Sequence, residues 1–211
     1  MPKKTKRSGD SQQYPTVDSP PVDPFESLVA TFYQIKGYIT SVGKWFWVWQ
    51  DGMRQPGYQD IDVLAINADE TIIVSVTSNL DDKVSFKRNK SLDQEKMNKL
   101  LQFFNRAQRF LTETPEYSWL MKSGRKTYRV VVCAGWHEKN LERIRSVLKS
   151  NEIELRTSSD IFRELRTEIR TIKEKGLKTN DPLVRLLNLW MRRGPLIGQS
   201  TTKAIESYEH G

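Results

Sequence analysis

Two aspartates set two residues apart, Asp60 and Asp62, open the apolar run Ile61-Asp62-Val63-Leu64-Ala65-Ile66. In a strand, residues i and i+2 share a face, so this reading sends both carboxylates to one side together with Leu64 and Ile66. A carboxylate at the mouth of an otherwise buried strand is costly unless a metal ion, a cation or water meets it. A second apolar run, Thr71 to Thr77, carries Ile73, Ser75 and Thr77 on one face and Val74 and Val76 on the other. Across a hairpin Ser75 and Thr77 come within reach of Asp62. Glu26, in the first turn of an upstream helix, completes an acidic cluster if that helix packs over the same face. Ordinary salt-bridged or solvated strand ends are the plain alternative.

The elements that must position these groups can be followed along the chain. Asp23-Pro24-Phe25-Glu26 combines a capping aspartate, a first-turn proline and a glutamate three residues on, as in a capping box. Phe25, Leu28, Val29, Phe32 and Ile35 then recur at helical spacing to about Lys36, and Gly37 ends the helix. Tyr38 to Val42 and Trp45 to Trp49 read as extended segments broken near Gly43, followed by a turn-rich loop over 51–57. Asn67-Ala68-Asp69-Glu70 punctuates the two apolar runs as the turn of an antiparallel hairpin. A long helix is expected from Ser91 to about Leu111, with Met97, Leu100, Phe104, Ala107 and Leu111 on its apolar side. The β-branched run Tyr128 to Ala134 suits a strand covered on both faces. After it come a helix over 139–149, a strand over 153–155, a helix over 160–173 and a last helix over 182–192. This order predicts an α/β fold with a mixed central sheet flanked by helices, antiparallel at the hairpin and parallel where crossover helices intervene.

The formal charge is +8 in 211 residues, a balance that favours polyanionic partners, nucleic acid foremost. From Lys83 to Arg109, Lys83, Lys87, Arg88, Lys90, Lys96, Lys99, Arg106 and Arg109 face only Asp93 and Glu95 in sequence. Such a stretch is either a phosphate-contacting surface or a solvated helix face. Trp45, Phe46, Trp47, Trp49 and Tyr58 flank the loop before Asp60; most suit a sheet core, and Tyr58 and Trp49 are the ones expected to be exposed. Residues 1–22 have the composition of a disordered basic tail, 23–175 form the domain, and 176–211 are read as a helical extension and flexible tail. In that extension, Leu183, Leu186, Leu187, Trp190 and Met191 would pack on the domain or join a second subunit or protein partner. A lone cysteine, Cys133, and the lack of an apolar run of bilayer length or a signal-like N-terminus lead to the expectation of a cytoplasmic protein with no membrane association. With one cysteine and only two histidines, a zinc site of the usual ligands is not expected.

Taken in order, Glu26 in a leading helix, the strand Gly57-Tyr58-Gln59-Asp60-Ile61-Asp62-Val63-Leu64-Ala65 and the strand Thr71-Ile72-Ile73-Val74-Ser75-Val76-Thr77 resemble the PD-(D/E)xK nuclease superfamily. Ile153-Glu154-Leu155 leading into Ser158 to Leu165 resembles that family's close, so the likeness spans roughly residues 23 to 165. The resemblance implies a restriction-endonuclease-like fold and Mg²⁺-dependent hydrolysis of DNA, with Asp62 and Glu26 as metal ligands. Ser75 falls where the family has Asp or Glu, and Thr77 where it has Lys. The site implied is therefore altered: Lys83, Lys87, Lys96 or Lys99 would have to supply the cation, and Asp60 or Gln94 the missing ligand. Lys83, Lys87, Arg88, Lys90, Lys96 and Lys99 would hold the DNA backbone. The alternative is a catalytically inactive module of the same fold that binds DNA or a protein.

Overall fold

In the computed structural model, residues 23–48, 57–122, 124–174 and 185 are described; the side chains of 47, 48 and 172–174 are not. The expectations for 1–22, for Trp49 and for all of the last helix except Arg185 lie outside the described residues.

Helix α1, Pro24–Ile35, starts where Asp23 Oδ1 accepts the amides of Phe25, at 2.6 Å, and Glu26, at 3.4 Å. Three antiparallel strands follow: β1 Ile39–Val48, β2 Gly57–Ile66 and β3 Glu70–Asn79. The β2–β3 turn is built by Asn67, whose Oδ1 accepts from the amides of Asp69 and Glu70 at 2.9 and 2.8 Å. After β3 come the short α2, Leu80–Lys83, the long α3, Gln94–Glu113, and a 3₁₀ turn at Ser118–Met121. The chain continues through β4 Lys126–Gly135, α4 Glu138–Ser150, β5 Ile153–Thr157 and α5 Ser158–Glu174.

The five strands lie in the order β1-β2-β3-β4-β5, with β4 parallel to both β3 and β5. Parallel neighbours need crossovers, and α3 and α4 supply them. Both helices pack on one face: Met97, Leu100, Phe104, Ala107, Leu111, Ile144 and Leu148 meet Leu64, Ile73, Val131, Cys133 and Leu155. On the other face Leu28, Val29 and Phe32 of α1 and Ile161, Leu165 and Ile169 of α5 meet Val63, Ala65, Ile72, Val74, Val130 and Val132. Buried on both sides, the strands read as nearly unbroken apolar runs, which is why β3 and β4 stand out in the sequence. No helix among the described residues is long and apolar enough to cross a membrane.

The expected break near Gly43 takes a different form. Pairing of Val42 with Val63 and of Lys44 with Ile61 keeps β1 in one register, and Gly43 stays within the strand at φ +60°. That left-handed backbone reverses the alternation of faces. Val42 packs on the α1 side, whereas Phe46 stacks on Phe110 of α3, ring centroids 5.2 Å apart, and Lys44 lies over Tyr117 at 4.6 Å. β2 slips in step: Ile61 and Leu64 both enter the α3-side core, and Val63 and Ala65 the α1-side core. Uniform two-residue periodicity through Asp60, Asp62, Leu64 and Ile66 therefore fails at Asp62, the residue that the β1 register sets opposite Gly43.

Candidate functional site

The slip at Asp62 coincides with the end of backbone pairing between β2 and β3. Their ladder runs from Ile66–Thr71 to Val63–Val74 and goes no further. At the next position the Asp62 carboxylate itself takes up the ladder, its Oδ2 accepting the Val76 amide at 2.5 Å. Ser75, the residue opposite Asp62 by register, lies near enough for its hydroxyl to favour the ionised carboxylate. Ser75 and Asp62 are thus brought together as the sequence implied.

Glu26 comes to the same fork from the start of α1. Asp23 caps that helix, but Glu26 does not close the capping box, and its carboxyl is left among acids. Burial, then the charges of Asp62, Asp23 and Asp60, push it up to about 7, against the opposing pull of Lys83. Asp62, which is more enclosed, is pushed up by burial to about 6 even though the Val76 amide, the Lys83 charge and the Ser75 hydroxyl favour its ionised form. Asp60 is solvent-exposed and adds negative charge to both. Both carboxyls are thus pushed up toward neutral pH, and the Lys83 charge opposes the shift in each.

Thr77 stands apart from this group. Its hydroxyl donates to the Asn79 carbonyl at 2.9 Å and accepts the Asn79 amide at 3.3 Å, so it is committed to its own backbone. The alternation that sends Val74 and Val76 to the α1 side puts Ser75 and Thr77 on the other face, and both are buried. Among the possible lysines, Lys83 at the end of α2 is the one whose charge acts on both carboxyls, although it makes no direct ion pair with either. Lys96 Nζ donates to the Asp81 carbonyl at 2.5 Å, and Lys99 pairs with Glu95 at 2.7 Å within α3. Gln94, proposed as a replacement ligand, instead donates to Asn98 at 3.3 Å.

Between α2 and α3 the chain forms a small hairpin that no periodicity announced. Phe86 bridges Leu92, the Lys87 amide donates to the Ser91 carbonyl at 2.8 Å, and the Asp93 amide donates to the Ser85 carbonyl at 2.9 Å. Its tip is Lys87-Arg88-Asn89-Lys90, all exposed, with Lys90 at φ +63°. Arg143 of α4 holds it from below, donating to the Lys90 carbonyl at 3.1 Å with its guanidinium 4.1 Å from the Phe86 ring centre. Lys83, Lys87, Arg88 and Lys90 thus form one positively charged stretch beginning at the carboxylates, whereas Lys96 and Lys99 are drawn into local bonds.

Among the described residues, no three His, Cys, Asp or Glu side chains gather closely enough to enclose a metal ion. Cys133 is buried in the α3-side core with its thiol pushed up to about 11 by burial, which leaves it an inert hydrophobe. No family model, no curated protein and no solved structure matches this chain.

Proposed function

We propose that the chain is a nucleic-acid-binding protein, with DNA as its foremost ligand, built on the restriction-endonuclease-like fold of the PD-(D/E)xK nucleases and bearing an altered phosphodiesterase site. The observation that carries this reading is that Glu26 and Asp62 are electrostatically linked, both raised by burial and both under the pull of Lys83, which precedes a basic hairpin. The parallel strands β3, β4 and β5 end on the side of the sheet where α2 begins, and ligands of open α/β sheets commonly sit beyond such carboxyl ends.

Mg²⁺ is usually held by one or two carboxylates, with water and a substrate phosphate completing its shell, so Glu26 and Asp62 are the residues that would hold it. Bound there, the ion would polarise the scissile phosphate and acidify a water. The chain's own residues supply the rest. The Val76 amide fixes the orientation of Asp62, Lys83 offsets negative charge where Thr77 brings none, and Lys87, Arg88 and Lys90 would hold the backbone on either side of the phosphate.

A second reading, a module of the same fold that binds DNA without cutting it, is favoured by the Thr77 hydroxyl being committed to Asn79. Plasmid and single-stranded DNA incubated with Mg²⁺ or Mn²⁺ separate the two. The enzyme reading expects cleavage that Asp62→Ala abolishes; intact DNA with retained binding selects the module.

A further inference from the structure

Beside the acidic fork, the β1–β2 surface carries an aromatic pair with no part in either core. Trp45 and Tyr58 stack across the strands with ring centroids 4.6 Å apart and planes tilted by 34°. They remain 41% and 61% exposed, although such rings gain more from burial than most side chains. Trp45 pairs in register with Asp60, and its neighbours Lys44 and Phe46 face the α3 side. Trp45, Tyr58 and Asp60 therefore stand on the α1 side of the sheet, the side from which Glu26 approaches. Asp60 precedes Asp62 by two residues, roughly 7 Å along a strand.

We propose that Trp45 and Tyr58 form a stacking platform for unpaired bases of a strand whose backbone passes the Glu26–Asp62 fork, so that the chain prefers single-stranded or frayed DNA to intact duplex. This rests on the nucleic-acid reading above and adds the form of the substrate. In a duplex each base is covered by its neighbours, so an exposed ring finds no free base face to stack on. In an unpaired strand every base presents one, whatever its sequence. Asp60 and Glu26 beside the rings repel phosphate as they would an acidic peptide, so the rings would meet base faces while the backbone lies toward the lysines and arginine of the hairpin. Aromatic platforms joined to a basic track are how sequence-tolerant single-strand binders hold successive nucleotides.

The test is fluorescence anisotropy with labelled oligothymidine and with a mixed-sequence duplex of equal length. Four proteins are compared: wild type, Trp45→Ala/Tyr58→Ala, Trp45→Phe/Tyr58→Phe and Lys87→Ala/Arg88→Ala. The alanine pair should lose about tenfold or more in single-strand affinity, while its duplex affinity stays within about threefold of wild type; the phenylalanine pair, which keeps its rings, should bind nearly as wild type does. The hairpin variant should weaken both forms alike. If the alanine pair melts abnormally, Tyr58→Ala alone gives the same discrimination at a more exposed position. Unchanged single-strand binding in the alanine variants, or equal losses on both forms, overturns the platform and leaves the nucleic-acid reading standing. Wild-type protein that binds neither form overturns both.

Discussion

Asp62 is held in a place where its charge is unwelcome. Three favourable contributions, from the Val76 amide, Lys83 and Ser75, do not offset its burial, and Glu26 nearby is raised further. The effect on stability follows in sign. A folded-state pKa above the unfolded value means that the native chain binds protons more tightly, so these groups cost nothing below about pH 4, the ordinary carboxyl range. Their cost grows as pH rises and is complete once pH has passed about 6 for Asp62 and about 7 for Glu26. Asp62→Asn keeps an oxygen for the Val76 amide and removes the charge. It should raise stability by about 1–3 kcal/mol at pH 8 and change it little at pH 4, which thermal melts across that range will read. An equal effect at both pH values would mean that Asp62 is an ordinary ionised side chain. The place of this residue at the β2–β3 fork was legible in its sequence position, but its setting was not: Ser75 was expected near it and lies opposite it by register, whereas Thr77 points back to Asn79. Which lysine would serve was also open, because it depends on where α2 turns, and a four-residue helix carries no periodic signal.

At the scale of elements, the basic hairpin between α2 and α3 stores strain. Lys90 adopts a left-handed backbone that costs a residue with a Cβ roughly 1–2 kcal/mol, where glycine would cost nothing. If the proposed DNA contact is right, charge at this tip serves binding at a cost in stability. Lys90→Gly should therefore melt higher, by the equivalent of about 0.5–1 kcal/mol, and bind DNA more weakly, two readouts that a purely structural tip would not move in opposite directions. The strands and long helices were legible because burial on two faces, or on one helical stripe, imposes runs and periods that survive in sequence. The slip of β1 and β2 was not, since strict alternation assumes a regular strand. Gly43 was its one visible sign, read as a break where the chain instead reverses its faces. Trp45 shares that fate: the reversal turns it outward, while Phe46 goes in to stack on Phe110.

For the whole molecule, the sheet joins two groups of opposite sign at one end: the carboxyls of Glu26 and Asp62, which repel a phosphate, and the cations from Lys83 to Lys90, which attract it. A surface that only binds DNA has no use for the first group, and an acidic pocket that only ends a strand has no use for the second. On the proposed reading, a divalent cation would reconcile them. Ordinarily added Mg²⁺ weakens protein–DNA contacts by competing for phosphates. On that reading it should instead strengthen them, because Glu26 and Asp62 would hold the ion that a phosphate then meets. The decisive measurement is the affinity of wild type and Asp62→Asn for DNA at constant ionic strength, with and without millimolar Ca²⁺ or Mg²⁺. The account predicts tighter binding with the ion in wild type and none of that gain in Asp62→Asn; an ion that weakens binding equally in both proteins would contradict it.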